Sequence, residues 1–273
     1  MKTFIFIISA IILIVAIIVI RRFRRNARNQ KLMATPLSDE RIEFVENNVP
    51  LYKTLPREFK TQLGGLIQVF LADKKFEGCA ELEITDEIKV TIAAQACILL
   101  LNRKTRFFPK LRTIFVYPGA YVANQTTRQG FIEVEGPSTR LGESWQNGPV
   151  VLAWDNVKHG AWNIEDGHNV VMHEFAHQLD QEDGSADGAP ILENRSCYGP
   201  WAGILSEEYQ ALQGKIKGRK RSVMDRYGAT NPAEFFAVAT ETFFEKPCQM
   251  HKKHPDLYNE LKNYYKLDPA NWK

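Results

Sequence analysis

One short stretch limits the fold of this chain more than any other: residues 170–180 read VVMHEFAHQLD. Its apolar residues recur at helical spacing, which predicts an α-helix with a buried stripe of Met172, Phe175, Ala176 and Leu179. His173 and His177 lie one turn apart and within about 40° of each other, away from that stripe. Glu174 lies at the edge of the histidine face. One side of the helix should therefore enter a core while the other faces a cleft.

This arrangement suits metal chemistry. Two imidazoles one turn apart can bind a single Zn²⁺ at about 2.0–2.1 Å each, and the intervening glutamate can act on a metal-bound water. H-E-x-x-H is short and also occurs by chance in unrelated chains. Here it follows a predicted strand, PVVLAW at residues 149–154, which is either a core strand or an edge that binds extended substrate by β-augmentation. The context favours a catalytic zinc site.

A third zinc ligand has to be found, because catalytic zinc usually takes three protein ligands and one water. Asp180 shares the histidine face, but about 10 Å of helix separates it from His173, which predicts a supporting role. A second predicted helix spans residues 231–247, NPAEFFAVATETFFEKP. It carries Glu234 and Glu241 on one face. A carboxylate in so apolar a helix needs a partner, and zinc is one.

Each of these glutamates has an alternative role. Asn231 is a favourable N-cap residue and Pro232 suits the first helical position, so Glu234 could be the returning arm of a capping box. Glu241 could orient a histidine or face solvent. None of the remaining histidines is predicted to be a ligand: His159 lies in a loop, His168 points away from the metal face, and the charged turn HKKHPD is expected to leave His251 and His254 solvated.

The N-terminus carries an uncharged run, FIFIISAIILIVAIIVI at residues 4–20. It spans about 25 Å as a helix, at the short end for a membrane crossing. A cleaved signal peptide is the alternative, but the arginines of RRFRRNARNQK stand where a small-residue cleavage site is needed. The run therefore predicts one transmembrane helix in the cell inner membrane. The positive-inside rule places the body in the cytoplasm, and the basic cluster should contact anionic lipids.

Composition excludes some classes of protein. Residues 1–31 hold seven of the 35 basic residues and none of the 32 acidic ones, which leaves 28 against 32 in the remaining chain. This mildly acidic body has no stripe for nucleic acid. No pair of cysteines forms C-x-x-C, and a chain of 273 residues can bury a core without disulfides. We expect reduced thiols at Cys79, Cys97, Cys197 and Cys248.

The predicted organisation has three parts. Residues 1–31 are the membrane anchor and its basic flank, residues 32–56 a linker and lead-in, and residues 57–273 the catalytic domain. Within the domain, strands are predicted in LRTIFVYP, GFIEVEG and PVVLAW, and helices in REFKTQLGGLIQVFLADKKF, DEIKVTIAAQACILLLNR and DLYNELKNYYKL. Helices that follow a few strands favour an α+β fold.

Four segments together resemble the Mlc titration factor A family of zinc peptidases: YPGAYV, SWQNGPVVLAW, HNVVMHEFAHQLD and YGATNPAEFFAVATETFF. The resemblance covers roughly residues 50–269 and is far more specific than H-E-x-x-H alone. The family looks like the catalytic domain of anthrax lethal factor, which implies a zincin-like metallopeptidase domain. The membrane anchor is a departure from the family pattern.

The resemblance also assigns roles. It implies zinc binding by His173 and His177, Glu234 of NPAEFF as the third ligand, Glu174 as general base, and Tyr227 of RYGATNPAE as a donor to the oxyanion. Members resemble aminopeptidases, which implies a peptide substrate. The named member binds a sugar-responsive transcription repressor, which implies such a partner here.

Three functions follow from these residues. The first is a zinc-dependent, aminopeptidase-like peptidase in which Glu174 activates a zinc-bound water. The second is a non-catalytic protein that keeps the zinc fold to bind a transcription repressor or a membrane partner; a base at residue 174 argues against it, since binding alone needs none. The third is a zinc hydrolase of another amide or an ester.

Overall fold

The computed structural model describes residues 2–103, 107–129, 132–140, 142–144 and 148–272. The side chains of residues 2, 3, 5–10 and 121–144 lie outside that description. The helices are α1 (Lys2–Met33), α2 (Asp39–Asn48), α3 (Leu51–Thr54), α4 (Arg57–Asp73), α5 (Asp86–Ile98), α6 (Trp154–Trp162), α7 (Val170–Asp180), α8 (Tyr198–Lys217), α9 (Pro232–Glu245), α10 (Pro247–Lys253) and α11 (Pro255–Tyr265). The strands are β1 (Lys75–Gly78), β2 (Thr113–Tyr117), β3 (Tyr121–Gln129), β4 (Ile132–Arg140), β5 (Gly142–Ser144) and β6 (Val150–Ala153).

The main sheet has the order β1-β2-β6-β5. β1, β2 and β6 are parallel, and β5 pairs antiparallel with β6 at one edge. β3 and β4 form a separate antiparallel pair. The strands predicted in LRTIFVYP and PVVLAW are confirmed as β2 and the fully buried β6. GFIEVEG contributes to β4, although residues 130 and 131 lie outside the described residues, as do residues 145–147 of SWQNGPVVLAW.

Helices form the centre of the core. Every residue of α5 from Val90 to Ile98 is buried, as expected for a helix that is apolar on all sides. The predicted stripe of α7 is also buried, and the Phe175 ring lies 4.8 Å from the Phe108 ring and 5.7 Å from the Phe70 ring between centroids. α7 therefore presents its apolar side to α5 and the aromatic cluster.

The predicted α+β fold class is wrong in the relative amounts of helix and strand. Most of the described chain is helical, and the strands of the main sheet are short. The physical reason is that α5, α7 and α9 bury residues on nearly every side. The core is thus built from helices around a small sheet rather than on one broad sheet face.

The predicted N-terminal transmembrane helix is also contradicted. Within the described part of the chain, no helix combines the length and the apolar character that crossing a bilayer requires. This finding overturns the inner-membrane location and the lipid-bilayer partner inferred from the same run.

The end of α1 instead packs on the body. Met33 lies so close to Gly65 of α4 that a Cβ there would come within 2.5 Å of the Met33 carbonyl oxygen. Arg28 pairs with Asp73 at 3.5 Å. The segment expected to be a linker, residues 32–56, holds α2 and α3, and buries Val45, Val49, Leu51 and Leu55 in the core.

Candidate metal centre

Two histidines of α7 form one side of the site. Asn169 caps the helix, because its Oδ1 accepts a hydrogen bond from the Met172 N–H at 3.0 Å. One turn further on, the Nε2 atoms of His173 and His177 lie 3.2 Å apart. Both imidazoles thus point the same ring nitrogen at the same place, as the spacing predicted.

Glu234 of α9 completes the group. Its Oε2 lies 2.9 Å from His173 Nε2 and 3.3 Å from His177 Nε2. The N-cap bond at this end of α9 runs from the Glu234 N–H to Asn231 Oδ1 at 2.9 Å. The cap therefore uses the backbone of Glu234, and its carboxylate is turned toward the histidines.

These three donors fit a tetrahedral metal ion. Ligands about 2.0–2.1 Å from a tetrahedral Zn²⁺ lie about 3.3 Å from one another, and the three distances here are 2.9, 3.2 and 3.3 Å. Of the described residues, this is the group of histidine, cysteine and acidic side chains that could hold a metal. Two nitrogens and one carboxylate oxygen are ligands that zinc accepts.

Glu241 binds the opposite side of His173. Its Oε1 lies 2.7 Å from His173 Nδ1, and its Oε2 accepts the backbone N–H of Asn169 at 2.6 Å. Glu245, one turn later on α9, accepts a bond from Asn169 Nδ2 at 3.1 Å. A carboxylate at Nδ1 places the proton there and leaves Nε2 as a lone pair for a metal. Glu241 is thus placed to orient a histidine.

The pKa shifts of Glu234 and His173 favour a cation between these two residues and His177. Burial opposes ionisation of Glu234, but hydrogen bonds from His173 and His177 outweigh it and lower the pKa of Glu234 to about 2. Burial works against a charged His173, yet Glu241 and Glu234 raise its pKa well above the ordinary value. The carboxylates therefore stabilise positive charge between the two helices, and a divalent cation supplies that charge without protons.

Glu174 has a different environment. It is 6% exposed, and burial raises the pKa of its carboxyl to about 7, although the neighbouring His173 and His177 act in the opposite direction. A carboxyl that titrates near neutrality can both accept and return a proton. The structure brings it beside the donor group, as its place between the histidines predicted.

Tyr227 lies at the rim of the site. It belongs to a 3₁₀ turn, Arg226–Ala229, that begins at Asp225, whose Oδ1 accepts the Tyr227 N–H at 2.7 Å. The Tyr227 ring centroid is 5.9 Å from that of His173, and the side chain is 54% exposed. Tyr227 can therefore reach a molecule bound in front of the histidines.

The sequence did not reveal how Asp180 supports the site. Its Oδ2 accepts the Gly188 N–H at 3.0 Å, and the Gly188 carbonyl oxygen accepts the Trp201 indole N–H at 3.0 Å. Gly188 has a φ of +78°, and a Cβ there would lie 2.5 Å from the Pro232 carbonyl oxygen. Asp180, at the end of α7, thus holds the loop at Gly188 against the start of α9, the helix that carries Glu234.

The other histidines lie away from this group. His159 is on α6 rather than in a loop, and is exposed, as are His168 and His251. The expectation that His254 is solvated is wrong, because it is 3% exposed. Its Nδ1 lies 2.7 Å from Glu208 of α8, a partner that is distant in sequence. Among the described residues the cysteines are free thiols, as predicted.

A helix carrying H-E-x-x-H, faced by a carboxylate from a second helix, defines the class: a metallopeptidase-type metal centre. The family model described as glucose-regulated metallo-peptidase M90 matches residues 21–266, and the chain belongs to this family. The resemblance predicted from the four segments is confirmed, while the relation to lethal factor stays a prediction.

Named relatives agree with this membership. An uncharacterised protein of Synechocystis sp. is 42% identical over 247 residues, which covers 89% of this chain and 89% of the relative. Mlc titration factor A of Pectobacterium atrosepticum is 31% identical over 81% of this chain and 84% of its own length. The protein of the same name from Serratia proteamaculans is 31% identical, with 81% and 85% covered.

Proposed function

We propose that this chain is a zinc-dependent peptidase of aminopeptidase-like specificity. The observation that carries the proposal is the convergence of His173 Nε2, His177 Nε2 and Glu234 Oε2 beside a buried Glu174 with a pKa of about 7. A regulatory protein needs the first three groups to hold a metal, but it has no use for a buried carboxyl placed beside them.

The three donors would hold the ion, and zinc when bound supplies Lewis-acid activation of water and of the scissile carbonyl. Glu174, a buried carboxyl beside the two histidines, would remove a proton from the attacking water and deliver it to the leaving amine. Glu241 keeps the His173 ring in place through Nδ1. Tyr227, from the rim, donates its hydroxyl hydrogen to the oxyanion of the tetrahedral intermediate.

Glu174→Gln tests the catalytic role. The variant should keep about one zinc per chain, since the three donors are untouched, and should lose about 10²–10⁴ in kcat because it removes a general base. Turnover would be followed with aminoacyl and blocked endopeptide chromogenic substrates, with and without a chelator. Glu43→Gln, on the exposed surface of α2, is the matched control. Full activity of a metal-loaded Glu174→Gln protein would rule out this mechanism.

A second function is supported by the names of the relatives. Mlc titration factor A is the name of several of them, which supports a transcription repressor as a binding partner of this chain. The two functions are separable, because a repressor-binding protein would retain its partner in Glu174→Gln while a peptidase would lose turnover. Pull-down of a purified repressor by the wild type and by this variant makes the comparison.

A further inference from the structure

Asn169, the residue that precedes α7, uses its whole side chain to join three helices. It is 2% exposed. Its Oδ1 accepts the Met172 N–H, which caps α7. Its Nδ2 donates to the Gly160 carbonyl oxygen of α6 at 3.3 Å and to Glu245 Oε1 of α9 at 3.1 Å. The amide NH₂ group therefore has two acceptors, and each acceptor lies on a different helix.

The backbone of Asn169 holds two residues of the metal centre. Its N–H donates to Glu241 Oε2 at 2.6 Å, and its carbonyl oxygen accepts the His173 N–H at 2.9 Å. Asn169 has extended dihedral angles, with φ −123° and ψ 97°, so its N–H takes no part in the helical hydrogen bonds of α7. The position of that N–H, and with it the carboxylate of Glu241, depends on what holds residue 169.

A capping role alone does not explain asparagine at this position. Serine and aspartate cap helices about as well, but neither has an NH₂ group that can donate to two acceptors. The contact with α6 is also close, because a Cβ at Gly160 would lie 2.9 Å from the His168 carbonyl oxygen and 3.1 Å from Asn169 Cα. α6 thus lies directly against the backbone of residues 168 and 169, and the Nδ2 bonds join residue 169 to both α6 and α9.

We propose that Asn169 is a positioning residue of the metal centre. Its Nδ2 bonds to α6 and α9 hold the backbone N–H that orients Glu241, and Glu241 in turn orients His173 through Nδ1. Asn169 thus acts on the metal centre through Glu241. The inference rests on the proposed function only for its effect on turnover, because its effect on zinc binding is measured without a substrate.

Asn169→Ser tests this role, because serine keeps a capping oxygen and removes the NH₂ group. In the full-length chain the zinc affinity, measured by competition with a chromogenic chelator, should fall ~10-fold, at the lower end of the effect of groups that orient metal ligands. The visible absorption spectrum of the cobalt-loaded protein should change with it. Made in Glu241→Gln, the same substitution should lower zinc affinity by less than about twofold, because its effect runs through Glu241. A loss of ~10-fold in both backgrounds would overturn the proposal.

Thr85→Ala separates positioning from a general loss of stability. Thr85 caps α5, since its Oγ1 accepts the Ile88 N–H at 3.3 Å. Removing this cap should lower the melting temperature and leave both the zinc affinity and the cobalt spectrum unchanged. Wild-type zinc affinity and a wild-type cobalt spectrum in Asn169→Ser would overturn the proposal.

Gly160→Ala disturbs the same contact without removing a polar group. The added Cβ should push residues 168 and 169 away from α6 and lower zinc affinity about threefold or more, as the bond to Glu241 weakens. Gly203→Ala on α8, where no atom lies within 4 Å of the added Cβ, is its control. If Asn169→Ser does not fold, wild-type affinity in Gly160→Ala overturns the proposal. A lower zinc affinity of Asn169→Ser in a chain that hydrolyses no peptide would refute the peptidase function and support the positioning role.

Discussion

Glu241→Gln is the sharpest test of how the metal centre is built, because Glu241 accepts hydrogen bonds on both oxygens. One faces His173 Nδ1 at 2.7 Å and the other faces the Asn169 N–H at 2.6 Å. Glutamine keeps the shape but offers one acceptor and one NH₂ group. Whichever way the amide is turned, its NH₂ group meets either the Asn169 N–H or the Nδ1–H that His173 carries when its Nε2 binds zinc, so one bond is lost in the zinc-bound state.

The size of the effect follows from these contacts. Losing one charge-assisted hydrogen bond costs about 1.5–3 kcal/mol, and removing a group that orients a metal ligand typically lowers metal affinity about 10–100-fold. Glu234→Gln should cost far more, because it replaces a donor atom itself. It should leave the helix cap in place, since that bond uses the Glu234 backbone and Asn231 Oδ1. The loss of zinc affinity should therefore be larger in Glu234→Gln than in Glu241→Gln, which distinguishes the metal ligand from the residue that orients His173.

Zinc affinity would be measured by competition with a chromogenic chelator, and thermal unfolding in parallel. Glu245→Gln is the matched control on the same helix. Burial raises the pKa of Glu245 to about 8, so its carboxyl is mostly neutral at pH 7 and glutamine can still accept the Asn169 bond. Wild-type zinc affinity in Glu241→Gln, or zinc retained by Glu234→Gln but lost from Glu241→Gln, would refute the assignment.

Three further predictions follow from other parts of the structure. Tyr227→Phe should lower kcat about 10²–10³-fold with unchanged melting, because the ring is at the exposed rim; an unaltered kcat contradicts its role. Burial raises the pKa of Asp180 to about 6, so its stabilising effect is present below the unfolded value and fades as pH rises from about 4 to 6. Asp180→Asn should therefore gain in free energy of unfolding relative to wild type between pH 4.5 and 7.5 in urea titrations, and a constant difference would contradict this. Chelation should lower the melting temperature yet leave one cooperative transition, since the apolar core of α7 and α9 does not depend on metal; zinc at 100-fold its Kd adds about 2.7 kcal/mol, and a non-cooperative melt would argue against a preformed site.

The helical spacing of residues was sufficient to predict the helices and the approach of His173 to His177. The stripe of α7 is buried, and the i,i+4 spacing brings His173 and His177 together at Nε2. Helical spacing also put Glu234 and Glu241 on one face, and both do contact His173. Which of its two nitrogens each carboxylate meets depends on how α7 and α9 pack, and no pattern within either helix encodes that.

Contacts between distant segments could not be predicted. His254 lies in a charged turn, yet Glu208 of α8 gives it a buried partner. The role of Asp180 depends on a loop that returns to it at Gly188. The prediction of a membrane helix was wrong, because no helix within the described residues is long and apolar enough to cross a bilayer.

Gly188 shows why the metal-binding residues alone do not tell which related chains can assemble the metal centre. An L-residue there must adopt a positive φ and also displace the Pro232 carbonyl, which begins the helix that carries Glu234. A relative could therefore retain both histidines, Glu174 and Glu234 and still fail to assemble the centre. Screening relatives for glycine at this position, as well as for H-E-x-x-H, would separate metal-competent chains from those that only carry the motif.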